Sequence, residues 1–100
     1  MSPVLPEESL MLPGENGTVS VPERVLVAIA SRAAETVDGI RVRRRRTIDL
    51  EAHEVRLSVA ARRGEPLREL AERAQSEVAS ALESMCGFEA RVDIAVRELE

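Results

Sequence analysis

Hydrophobic and polar positions along the chain change their spacing several times, and each change predicts an element. The segment "TVSV", residues 18–21, is alternating and β-branched, which predicts a short edge strand. From Ser20 the period lengthens to about 3.6 residues, the spacing of a helix. Ser20 and Glu23 have the spacing of a capping box, and Pro22 falls in the first turn, where its missing N–H costs nothing. The pattern therefore predicts a helix over about residues 21–37.

This first helix carries an apolar stripe that is expected to face the core. Gly39 ends it, because glycine readily takes the left-handed conformation of a helix stop. The stripe comprises Val21, Val25, Leu26, Ile29, Ala30, Ala33 and Val37. The residues expected to face water are Arg24, Ser31, Arg32 and Glu35.

After Gly39 the alternation of strands returns. Ile40 and Val42 begin a strand, and the arginine run "RVRRRR" follows within residues 41–46. The segment "HEVRLSVAAR" then alternates, with Val55, Leu57, Val59 and Ala61 on one face and Arg56, Ser58, Ala60 and Arg62 on the other. We expect two strands joined as a hairpin.

A second amphipathic helix is predicted over about residues 66–85, stopped by Gly87. Its apolar stripe comprises Leu67, Leu70, Ala71, Ala74, Val78, Ala81, Leu82 and Met85. The last strand has the clearest alternation: Phe88, Ala90, Val92, Ile94 and Val96 face one way, and Glu89, Arg91, Asp93 and Arg97 face the other. One face of this strand should meet the core and one should meet solvent.

The elements follow the order β-α-β-β-α-β, which predicts an α+β fold. Because every apolar stripe and face needs a partner, we expect a two-layer sandwich with both helices on one face of a small mixed sheet. A right-handed crossover through the second helix makes the last strand parallel to the strand before that helix, either adjacent to it or one strand away. Residues 1–16 combine prolines and glutamates without a period, so we expect a flexible N-terminal arm, followed by one domain over residues 17–100.

Composition and charge add two constraints. The chain has 100 residues, 44% of them hydrophobic and 1% aromatic, so it is long enough for one core, and that core must be aliphatic. The net charge of −4 is unevenly distributed: residues 41–63 hold eight arginines and three acidic residues, or +5, and the rest of the chain holds six arginines and fifteen acidic residues, or −9.

The arginine run is the candidate site, an electrostatic contact made by Arg41, Arg43, Arg44, Arg45 and Arg46. Several interpretations remain open: a solvated turn or hairpin, a contact with anionic lipid, a contact with the acidic surface of a protein or of another copy, and binding to nucleic-acid phosphates. Nucleic acid is the least favoured, because no aromatic residues are interleaved for base stacking and the pI is about 5.1.

Other residue types that carry chemistry do not form a site. His53 is the only histidine and falls at a predicted turn, which favours a surface position. Cys86 lies at the C-terminus of the second helix, where the helix dipole disfavours a thiolate, so we interpret it as structural. No cysteine and histidine cluster, carboxylate pair or phosphate-binding loop is present in the sequence. We expect no catalytic residues, no metal and no cofactor, and a cytoplasmic protein, since there is one cysteine and no signal-peptide or membrane-spanning pattern.

Two blocks resemble the bacterial alkaline-shock, or envelope stress response, family. The first is "GTVSVPERVLVAIASRAAETVDGI", and the second is "AQSEVASALESMCGFEARVDIAV". The matching positions in the first block are Gly17, Val19, Val21, Val25, Leu26, Ile29, Ala30, Ala33, Val37, Gly39 and Ile40. In the second they are Gln75, Val78, Met85, Gly87, Val92, Asp93, Ile94 and Val96. Together the blocks cover most of residues 17–97.

The resemblance implies a non-enzymatic, self-associating cytoplasmic protein that supports the cell envelope under stress. It also implies a separate anchor protein that holds the chain near the membrane. The chain departs from the family pattern in its more basic stretch between the second and third predicted strands, and in "AARRGEP", where members often have a tyrosine. A small nucleic-acid-binding module that uses the basic hairpin is the alternative.

Overall fold

A computed structural model describes residues 9–98, including every side chain in that range except those of Arg44, Arg45 and Glu98. All six predicted elements are present within this part of the chain, and one further strand precedes them. In chain order the elements are β1 (Ser9–Gly14), β2 (Gly17–Pro22), α1 (Glu23–Glu35), β3 (Ile40–Asp49), β4 (Glu54–Ala61), α2 (Leu67–Cys86) and β5 (Arg91–Glu98).

The main sheet has three strands in the order β3-β4-β5. β3 and β4 are antiparallel, as expected for a hairpin, and β4 and β5 are parallel. The predicted mixed sheet is confirmed. Of the two positions left open for the last strand, the structure shows the adjacent one. Each of the eight residues of β4 pairs with one residue of β5, from Glu54 with Arg91 to Ala61 with Glu98.

Both helices pack on one face of this sheet, α1 chiefly against β3 and α2 chiefly against β5. The inward residues of β4 are all buried, because β4 is central and covered by the helices: Val55, Leu57, Val59 and Ala61. Leu26 of α1 and Leu82 of α2 meet them in one aliphatic core. Phe88 is the largest side chain in the core. The predicted two-layer α+β architecture is confirmed.

Part of the segment that was predicted to be a flexible arm, residues 1–16, forms a regular strand. Residues 1–8 of that segment lie outside the described residues. Ser9–Gly14 forms β1, which pairs antiparallel with β2 in a separate two-stranded sheet. Leu10 and Val21 share one face of this hairpin and pack against the main core, which explains how a hairpin with Pro13 in one strand is held in place.

The first helix starts later than its sequence signal predicts. Ser20 lies within β2, so Pro22 takes the N-cap position and makes no side-chain capping bond; the predicted capping box is wrong. The helix stops at Glu35, and Gly39 has the expected positive φ, 89°, at the entry to β3. The second helix matches its prediction within one residue at each end. Gly87 closes it in the left-handed conformation, and its N–H donates to the Glu83 carbonyl over 2.8 Å.

The two apolar stripes are buried only along their centres. Leu26, Ala30 and Ala33 of the first stripe are buried, but Val25 is exposed, against the prediction. Ser31 was expected to face water and is instead buried. Met85 was expected in the second stripe, but it is exposed, and the neighbouring Cys86 is buried in its place.

Candidate functional site

The arginine run lies along strand β3 and not in the turn of the hairpin. The turn is formed by residues 50–53, between β3 and β4. The Asp49 carboxylate stabilises it, since Oδ1 accepts hydrogen bonds from the backbone N–H groups of Glu51 and Ala52, each over 3.0 Å. The run is therefore part of a strand of the hairpin and does not form its turn. The run belongs to the first part of an edge strand.

Pairing between β3 and β4 is interrupted in the middle of the run. Val42 is opposite Val59, and the next pair is Arg46 with Leu57. Residues 43–45 of β3 therefore stand opposite Ser58 alone. β3 is also an edge of the sheet, since β4 is its only partner strand within residues 9–98. An irregular edge strand rich in charge is a poor template for pairing with another strand, which gives the run one structural role.

Arg46 points to the helix side of the sheet. It is paired with Leu57, a buried residue of the helix-covered face. Its Nη1 donates a hydrogen bond to the Ser31 hydroxyl of α1 over 3.4 Å. Ser31, which was expected to face water, is buried at this contact. Arg46 therefore ties the edge strand to the helix layer, and it is less available to a partner than the arginines on the open face.

The open face of the sheet brings a distant arginine next to the run. Ala60 of β4 is paired with Arg41 on one side and with Arg97 of β5 on the other. Two strand spacings separate these arginines by about 10 Å. Ala60 is only 2% exposed although it lies on the open face, at the register position between the two arginines. Arg43, also exposed, follows Arg41 on the same strand.

We call Arg41, Arg43 and Arg97 the arginine edge. Sequence analysis placed Arg97 on a solvent face but did not associate it with the run. That association depends on β5 lying in register beside β4, which no local pattern specifies.

Charges at the other end of the open face are neutralised within the sheet. Asp93 lies 3.7 Å from Arg56 and 3.8 Å from Arg91, measured between carboxylate oxygens and guanidinium nitrogens. Beyond the open face, Arg62 is similarly paired with Asp38 over 3.4 Å. The arginine edge makes no ion pair with any residue that the structure describes. Its positive charge is thus available to an anionic partner.

The remaining candidate residues have structural positions. His53 is exposed in the turn, as expected; its ring centroid lies 5.0 Å from that of Phe88, and its Nδ1 lies 3.2 Å from the Glu89 carbonyl oxygen. Cys86 is buried as a free thiol. Across residues 9–98, no group of three or more potential metal ligands is found, and neither helix has the length and apolar content needed to cross a membrane.

Comparison of the chain with protein-family models, with curated protein sequences and with solved structures gives no match in any of the three.

Proposed function

We propose that this protein is a non-enzymatic interaction module of the cell-envelope stress response. It acts on the cytoplasmic side, near the membrane, in contact with an anchor protein and with other copies of itself. The resemblance of residues 17–97 to the alkaline-shock family supports the envelope role. The arginine edge supports a contact with an anionic surface, and it is the observation on which the proposal chiefly rests.

The size of the expected contact follows from the number of available arginines. A basic residue next to an anionic bilayer contributes about 1 kcal/mol, so Arg41, Arg43 and Arg97 together contribute about 3 kcal/mol, roughly a 150-fold gain in affinity. Such a contact is weak and reversible when made by one copy alone. A protein anchor or association between copies is therefore needed for stable attachment.

Nucleic acid is the alternative partner, because phosphate groups also bind arginine. Sequence-tolerant binding to single strands normally adds stacking of bases on aromatic side chains. The only aromatic residue of the chain, Phe88, is buried in the core. The described part of the open face therefore offers phosphate contacts alone, and the anionic membrane surface is favoured.

Sedimentation with vesicles tests the proposal against its alternative. We would compare phosphatidylglycerol vesicles, phosphatidylcholine vesicles, and single-stranded RNA and DNA at about 50 and 200 mM salt. The proposal predicts binding to the anionic vesicles that weakens with salt, because exposed charges are screened within about 8 Å at physiological ionic strength. Tighter binding to nucleic acid than to the vesicles would favour the alternative.

A pair of substitutions assigns this binding to the arginine edge. In the variant Arg41→Gln/Arg97→Gln, vesicle binding should fall roughly 30-fold, since two contributions of about 1 kcal/mol are lost. The control Arg68→Gln/Arg73→Gln removes the same charge from the exposed surface of α2 and should bind nearly normally. Equal losses in the two variants would show that net charge, and not the arginine edge, determines binding.

A further inference from the structure

The helix layer has an apolar groove on its surface, between α1 and α2. Its volume is about 920 Å³, and its apolar lining is formed by Val25, Ala28, Ile29, Ala81 and Met85. Val25 is 38% exposed and Met85 is 67% exposed, although the periodicity of both helices predicts them in the core. The apolar stripes are thus wider than the sheet they cover. The uncovered margins of both stripes meet in this groove.

The β1–β2 hairpin carries a second uncovered apolar surface. Leu12 and Val19 continue the face on which Leu10 and Val21 pack against the core, but Val19 is 53% exposed. Met11, on the other face, is 61% exposed. A two-stranded hairpin is at best marginally stable in water without packing. Among residues 9–98, the groove and the hairpin contain all four of the large hydrophobic side chains that are strongly exposed.

We propose that the β1–β2 hairpin of one copy binds in the α1–α2 groove of a second copy. This inference deepens the self-association included in the proposed function and does not depend on the arginine edge. Because the two contacting surfaces differ, each copy still has one free hairpin or one free groove after binding. Such a head-to-tail contact builds rings or open chains.

The dimensions and charges of the two surfaces are compatible. Six-residue strands are about 20 Å long, and the groove follows α1 from Arg24 to Thr36, about 18 Å at the rise of a helix. Residues 9–22 contain a single charged residue, Glu15, whereas 32% of the whole chain is charged. The hairpin therefore buries little charge, as the centre of an interface requires. The charged residues that line the groove balance one another, Arg24 and Arg32 against Glu35 and Glu77, so the single Glu15 meets no net repulsion there.

A chain cannot place its hairpin in its own groove while its core stays packed. β2 ends at Pro22 and α1 begins at Glu23, so no linker lets the hairpin fold back along the helix. Leu10 and Val21 also hold the base of the hairpin against the core. The hairpin of a chain therefore cannot fill the groove of the same chain, and a second copy supplies a hairpin of suitable length and polarity.

Sedimentation equilibrium of the full chain and of three variants tests the proposal. Val19→Lys introduces charge on the hairpin, Met85→Lys introduces it in the groove, and Ser76→Lys introduces it on an exposed position of α2 outside the groove. The wild type and Ser76→Lys should associate as concentration rises. The other two should each associate about tenfold more weakly or worse, with melting temperatures that show an intact fold.

Mixing the two weakened variants distinguishes this contact from all others. The Val19→Lys chain retains its groove and the Met85→Lys chain retains its hairpin, so an equimolar mixture should form a complex of twice the 11.0 kDa chain mass and grow no further. A mixture that stays monomeric overturns the proposal. So does a wild type that stays monomeric at about 1 mM, or association that only one of the two substitutions weakens, which would indicate a groove-to-groove or hairpin-to-hairpin contact.

Discussion

His53 joins two loops that are distant in sequence. It takes a left-handed backbone conformation, with φ of 53°, at the end of the β3–β4 turn. Its carbonyl accepts a hydrogen bond from the Arg91 N–H over 2.7 Å, and its ring lies against Phe88, so it connects the turn to the start of β5. A side chain other than glycine in this conformation costs about 1 kcal/mol, which the ring contact and the hydrogen bonds offset.

Substitutions at His53 should separate the cost of its left-handed backbone conformation from the stabilisation by its ring contact. His53→Ala loses the ring contact and keeps the backbone strain, so the free energy of unfolding should fall by about 1–2 kcal/mol. His53→Gly loses the same contact but relieves the strain, and it should be the more stable variant by about 1 kcal/mol. Urea unfolding measures both values. An alanine variant as stable as the wild type, or more stable than the glycine variant, would contradict this role.

At the scale of elements, the two edges of the main sheet differ in regularity. β3 is interrupted opposite Ser58 and carries the arginine run, whereas β5 pairs with β4 without interruption. α2 also contacts the backbone of β5, since Gln75 Nε2 donates to the Val92 carbonyl over 2.9 Å. β5 is thus a regular strand fixed by the helix layer, and β3 is the irregular edge that carries the arginine run.

Adjacent residues of β5 should differ sharply in their contribution to stability. Val92 is buried under α2, so Val92→Ala should lower the free energy of unfolding by about 2 kcal/mol. Asp93 is partly exposed, and its ion pairs are longer than 3.5 Å, so Asp93→Asn should change it by less than about 0.5 kcal/mol. Urea unfolding of both variants gives the comparison. Equal losses would mean that the open face of β5 is covered, as in an assembly.

The sequence predicts most elements because their signals are local. Gly87 and the alternation of Val55, Leu57 and Val59 specify the end of α2 and the inner face of β4 without knowledge of the rest of the chain. β1 was missed because Leu10, Met11 and Leu12 do not alternate in polarity, and Pro13 argues against a strand. Its pairing with β2 provides the stabilisation that its sequence lacks.

The parts of the surface that could not be predicted depend on how elements meet. An apolar stripe shows which side of a helix is buried but not how far the neighbouring layer extends, so Val25 and Met85 were assigned to the core. In the same way, the arginine run is visible in the sequence, but Arg97 joins it only through strand order and register. The α1–α2 groove and the arginine edge therefore both include residues whose surroundings the sequence alone does not specify.

At the scale of the whole molecule, the shape is extended and the proposed contacts are separate. The radius of gyration is 15.0 Å, against about 13 Å for a compact domain of this length, and the longest dimension is 49 Å. The hairpin and groove would join copies, and the arginine edge would face an anionic surface. Each copy contributes only about 3 kcal/mol at that surface. Association of copies would therefore increase the affinity of the assembly for the surface by increasing the number of contacts, while each contact keeps the same strength.

Survival of a strain that lacks this protein is the most direct test of the proposed envelope role. We predict that deletion of its gene increases killing by an envelope-damaging detergent and that the wild-type chain restores survival. The Arg41→Gln/Arg97→Gln variant, at equal abundance and with a nearly unchanged melting temperature, should not restore it, whereas Arg68→Gln/Arg73→Gln should. Full rescue by the Arg41→Gln/Arg97→Gln variant, or a deletion strain as resistant as its parent, would contradict an envelope role carried by the arginine edge.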